Sequence, residues 1–204
     1  MTTPGLRETK RRATAFALAQ AAFDLARERG VDGFTIDELC ARAGYSRRTF
    51  ANHFAGKEEA IVAVAVERVR HALEDPPDDD LPLVDWLQAM AARQLNDGLL
   101  MVLRELRALA QEHPPLRPHL LEVQRGIRES ARDAVMARLD GRASRVSAHL
   151  LVGAAYGALA CVLDGYVPVR LAGTAPAATP PGQEPAMSLE EFLDLTFEHL
   201  RHGF

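Results

Sequence analysis

Cysteine is nearly missing from this 204-residue chain. Cys40 and Cys161 stand far apart and neither has a CxxC neighbour, which excludes a disulfide framework and a thiolate metal centre. Both sit in apolar helical patterns and are expected to be buried free thiols. The histidines offer no metal site either. His113 and His119 flank prolines, and His199 and His202 lie three apart near the end of the chain, so surface positions explain them better than a metal. Runs of alternating polar and apolar residues are absent and β-branched residues are sparse, which argues against a sheet. The sequence also lacks GxSxG, HExxH, a phosphate-binding loop and a Gly-rich dinucleotide fingerprint, so no catalytic residue and no cofactor is expected. The chain begins polar and basic, without an apolar leader, and a cytoplasmic protein is the expectation.

Long apolar runs are confined to one segment, Val146 to Leu163. It is short for a membrane span, carries Ser147, His149 and Tyr156, and meets Asp164 directly. The expectation is a helix buried in a bundle, with no membrane partner. Its Gly153-xxx-Gly157 pattern then marks a helix–helix or dimer seam.

An overall excess of positive charge is missing too, since the net charge is −4. Its distribution is uneven. Residues 1–57 hold ten Lys/Arg against six Asp/Glu, while residues 58–204 hold fourteen against twenty-two. A basic front on an acidic body points one end of the molecule at a polyanion.

What the chain does have is helical periodicity throughout. The first helix is expected over about 8–29, with Phe16, Ala19, Phe23 and Ala26 as one apolar stripe and Gly30 ending it. The second starts at Thr35, where Glu38 completes a capping box and Phe34 and Leu39 form a hydrophobic staple. It stops at Gly44. The third starts at Ser46 as N-cap, with Phe50 and Phe54 sharing its inner face. Two short helices joined by a Gly-containing turn make a helix-turn-helix candidate. A fourth helix follows from about Lys57 to Leu73. Helices near 82–96, 98–112, 117–139, 144–166 and 188–203 complete the body. Residues 172–187 are small and proline-rich, and Ser188 with Glu191 predicts a second capping box.

On a helical wheel Arg48 and Asn52 oppose Phe50 and Phe54, with Thr49 and His53 on one flank and Arg47 on the other. Arg reads guanine and Asn reads adenine through paired hydrogen bonds, and a helix of this size fits the DNA major groove. A solvated face is the bland alternative. It leaves unexplained why every charged residue between Glu38 and Glu58 is basic.

Residues Phe34 to Ala60, "FTIDELCARAGYSRRTFANHFAGKEEA", resemble the DNA-binding domain of the tetracycline-repressor (TetR) family. The match lies in the Thr opening helix two, the Ala-Gly turn, Ser-x-x-Thr, the terminal His-Phe and the Lys-Glu-Glu opening helix four. It covers about the first third of the chain. Tyr45 and Ala51 depart from it, standing where a small aliphatic and a backbone-gripping aromatic are usual. The resemblance implies an all-α protein. Residues 8–70 would form a three-helix DNA-binding domain with its motif at about 35–54. Residues 71–204 would form a helical effector-binding and dimerisation domain.

The resemblance further implies a homodimeric, ligand-responsive regulator of a double-stranded operator. Thr35, Arg47, Arg48, Thr49, Asn52, His53 and Lys57 become DNA-contacting candidates. Arg7, Lys10 and Arg11 match a basic N-terminal extension. In the body, Trp86, Met90, Met101, Arg104, His149 and Tyr156 are candidates to line a pocket for a small-molecule effector of unknown identity. Gly153, Gly157 and Ala160, together with Phe192, Leu193 and Phe197, are candidates for the dimer interface. The rival readings are a non-specific architectural DNA binder and a helical enzyme without recognised motifs.

Overall fold

The computed structural model describes residues 5–74, 77, 78, 80–139, 142–170 and 185–202. Helices dominate: α1 (Leu6–Arg29), a 3-10 turn (Val31–Gly33), α2 (Ile36–Ala43), α3 (Arg47–Ala51), α4 (Lys57–Glu74), α5 (Leu83–Gln94), α6 (Leu100–Glu112), α7 (Leu116–Ala137), α8 (Arg142–Leu163) and α9 (Leu189–His202). The chain forms two compact units. One takes in residues up to Arg68 together with Val102–Gln124, and the other holds Val69–Met101 and the residues from Arg125 onward. Helices α1 to α3 and α4 up to Arg68 thus share their unit with nearly all of α6.

In the first unit α1 packs on α2 and on the 3-10 turn, and α2 packs on α3. Leu18, Ala19, Ala22, Phe23 and Ala26 form the inner stripe of α1, while Phe16 lies exposed on its outer side. Gly30 ends α1 and Gly44 ends α2, both at φ 75°, a backbone region where a side chain would be strained. Those two glycines set the angles at which α2 and α3 leave their predecessors.

The second unit is built on Trp86, Leu87 and Met90 of α5, Ala148, Val152 and Val162 of α8, and Phe192, Leu193 and Phe197 of α9. Gly98, at φ 81°, breaks the path between α5 and α6 within a π-turn over Leu95–Leu99. The Ser188–Glu191 capping box forms as expected. A small parallel ladder, in which Val169–Arg170 (β1) pairs with Met187–Ser188 (β2), was not expected from the sequence. Two-residue strands are too short for a period to show. Most of the proline-rich segment expected at 172–187, up to residue 184, lies outside the described residues.

The expectation of a buried α8 needs correction. Ala148, Val152 and Val162 face the core, but the opposite stripe of Val146, Leu150, Gly153, Gly157 and Ala160 is exposed, with Leu150 68% accessible. A helix apolar all round reads as buried from sequence. Here the described residues cover only one side. By length and composition Arg145–Leu163 passes as a span, the one such helix among the described residues.

Candidate nucleic-acid interface

The reading surface starts from two caps. The Thr35 hydroxyl accepts the Glu38 N–H at 3.2 Å, and the Thr35 N–H donates to Glu38 Oε2 at 2.8 Å. The Thr35 N–H and hydroxyl, both donating to Glu38 Oε2, hold that carboxyl below its ordinary range, with Arg29 assisting. Ser46 Oγ accepts the Thr49 N–H at 3.1 Å and opens α3. A five-residue helix has almost no stability of its own. It is held from behind by buried Phe50 and Phe54, whose rings lie 5.8 Å apart.

Arg47, Arg48 and Asn52 are exposed on the outer side, with Thr49 and His53 half-buried on the flank. No side chain among the described residues pairs with Arg48 or Asn52. Arg47 differs: its guanidinium lies 3.1 Å from Asp37 on α2, which holds it at the edge of the surface. The wheel could not show this cross-helix pair, because it treats each helix alone. Thr35 is exposed but its hydroxyl is engaged in the cap, and the Thr49 hydroxyl lies 2.9 Å from Ser46 Oγ. Arg7, Lys10 and Arg11 are exposed on the first turns of α1, already helical from Leu6.

Lys57 stands apart from the other candidates. Its Nζ donates to Val31 O at 2.7 Å, lies 5.4 Å from the centre of the Phe34 ring, and is 3.7 Å from Asp32. The side chain is only 21% accessible. It ties the start of α4 to the turn before α2, a structural task that its position in the motif did not reveal. His113, expected at the surface, is likewise enclosed: its ring sits between Asp32 and Glu58.

The body candidates do not converge. Trp86 and Met90 are buried in the second unit, and the Arg138 guanidinium stacks 5.0 Å from the Trp86 ring centre. The Trp86 indole N–H is buried and has no acceptor among the described residues. Tyr156 is half-buried, and burial pushes its phenol above the usual tyrosine range. Met101 and His149 are exposed. Arg104 belongs to the first unit and the other five to the second. Among the described residues no group of His, Cys, Asp and Glu could hold a metal.

The interface candidates divide sharply. Gly153, Gly157 and Ala160 are exposed, and a Cβ built on either glycine would meet nothing within 4 Å. Phe192, Leu193 and Phe197 are instead enclosed in their own subunit, Phe197 at 1% accessibility. The apolar face of α9 needed a partner, as its sequence indicated, and found it in α5 and α8.

A capped helix-turn-helix with a basic outer side defines a DNA-binding protein. Residues 18–64 match the family model described as bacterial regulatory proteins, tetR family. The HTH-type transcriptional repressor AcnR of Corynebacterium diphtheriae is 28% identical over 176 residues, spanning 85% of this chain and 84% of that protein. A transcriptional regulator from Rhodococcus sp. Rha1 shares the fold, with a TM-score of 0.54 and 21% identity, over 93% of this chain and 96% of that one. Residues 18–64 thus carry a DNA-binding domain of the tetR type, and most of the chain resembles a transcriptional repressor.

Proposed function

We propose that this regulator is a repressor that binds a palindromic operator as a homodimer and is released by a small apolar or amphipathic effector. The observation that carries the reading is α3 itself: Ser46 caps it, Phe50 and Phe54 fix its roll, and Arg48 and Asn52 stand outward and unpaired. Repression is favoured by likeness to the AcnR repressor. Dimerisation is favoured by the exposed apolar stripe of α8. Its glycines serve no contact within the subunit and would let a second backbone approach closely. Two rigidly linked reading helices then engage half-sites about one DNA turn, or a multiple of it, apart. An effector acts only if it prefers the conformation that does not bind DNA, and DNA must weaken its binding by the same factor.

Selection from a randomised duplex library tests the central claim. The wild type should enrich one inverted repeat. Arg48→Ala and Asn52→Ala should each lose about 1–3 kcal/mol on the selected site and relax preference at distinct base positions. Enrichment of no sequence would favour the architectural reading, and unchanged affinity in both variants would mean that α3 does not read the site.

A further inference from the structure

His113 occupies a position that neither the reading surface nor the body explains. Its backbone N–H donates to Leu109 O at 2.8 Å and so completes the last turn of α6. Pro114 and Pro115 follow, and Leu116, fully buried, starts α7. The ring is 16% accessible. Nδ1 lies 3.2 Å from Asp32 Oδ2, and because an ionised carboxylate only accepts, Nδ1 carries the proton. Nε2 lies 3.5 Å from Glu58 Oε1, buried and without a hydrogen bond. The carboxylates beside the ring are Asp32 from the 3-10 turn and Glu58 from α4. Lys57 reaches Asp32 from the other side, and Arg117 of α7 donates to Ala110 O.

The two carboxylates belong to the segments that carry the reading head. Asp32 lies in the turn that launches α2. Glu58 is the second residue of α4, which follows α3 directly. One imidazole at the end of α6 thus touches both supports of the helix-turn-helix. A neutral ring has one N–H and satisfies Asp32 alone, leaving the Nε2 lone pair facing the Glu58 oxygens. A doubly protonated ring has a second N–H and a positive charge to offer Glu58. Histidine exchanges that proton between about pH 5 and 8.

Resting on the reading of this chain as an operator-binding regulator, we propose that His113 is a positioning residue for DNA binding. Its protonated ring pins the end of α6 to the turn before α2 and to the start of α4. Protonation orders the head before it meets DNA, and ordering in advance tightens association. Operator affinity then falls as the ring gives up that second proton.

The test measures affinity for the selected duplex from about pH 5.5 to 8 at constant ionic strength, in wild type, His113→Gln and Glu58→Gln. His53 on the reading helix is common to all three, so the informative quantity is the difference between profiles. The wild type should lose about fivefold more affinity across the range than either variant. Both variants should keep the wild-type circular dichroism and dimer size. Should His113→Gln prove unstable, Glu58→Gln, which keeps the ring, carries the test alone. Superimposable profiles on a selected operator would overturn the role of His113 and leave the regulator reading intact. A wild type that selects no sequence would sink both.

Discussion

Replacing Lys57 by methionine separates two roles that its place in the motif confounds. As a phosphate ligand, Lys57 would contribute one counterion-releasing contact, and its loss would leave folding alone. The structure gives it internal partners instead. A charged hydrogen bond to Val31 O contributes about 1.5–3 kcal/mol. The ammonium beside the Phe34 ring adds about 0.5–1 kcal/mol. The approach to Asp32 adds almost nothing, because that carboxylate is 82% accessible and the contact is 3.7 Å long. Methionine keeps the apolar stem over Phe34, so the polar contributions are what is removed. Since contacts made by one group overlap, we expect a loss of about 2–3 kcal/mol. For a chain of this size that lowers the melting temperature by about 5–10 °C. Operator affinity should weaken with little change in its salt dependence. A variant with unchanged melting whose log–log salt slope flattens by about one would show that Lys57 meets a phosphate, and would refute the structural assignment.

Two further outcomes follow from the caps and from α8. Glu38 and Glu191 both have their carboxyls held low by capping-box hydrogen bonds, so the stabilisation is present above the ordinary carboxylate range and is lost as pH falls through the depressed values. Thr35→Ala should cost about 1 kcal/mol in urea unfolding near neutral pH and should flatten the acid side of the stability profile, whereas an unchanged acid limb would discount the box. Gly157→Glu should give helical monomers that have lost specific operator binding, as read by light scattering and gel shift. A dimeric Gly157→Glu would remove α8 from the interface. By contrast, Leu193→Arg should unfold the second unit, because its side chain is enclosed there.

Local chemistry was legible in the sequence wherever one short segment determined it. Thr35 with Glu38, Ser46 with Thr49, Ser188 with Glu191 and the glycines at 30 and 44 each specify a cap or a turn within a few residues, and each is found as read. Pairings between distant segments were not legible. Arg47 with Asp37, Lys57 with Val31 and His113 with Asp32 depend on how helices cross, and hydrophobic periodicity says nothing about which polar groups then meet. The same limit explains α8 and α9. Both have apolar faces, and a face shows only that something covers it. The core of the second unit takes the α9 face and one side of α8. Only the structure shows which side remains.

These supports matter because the reading helix is too short to keep its own shape. Five residues close hardly more than one turn, so the roll and tilt of α3 are set by what lies behind and beside it. Phe50 and Phe54 set the roll. Gly44 and the Ser46 cap set the entry angle. The turn at Val31–Gly33 and the start of α4 are joined to each other by Lys57 and bridged by His113. If Arg48 and Asn52 read base edges as proposed, a displacement of about 1 Å at these supports would move them out of hydrogen-bond register while leaving phosphate attraction nearly unchanged. Sequence preference should therefore fail before general DNA affinity does when the supports are weakened. On the proposed reading, such a regulator would give up its operator through small changes at the base of the head, with α3 itself unaltered.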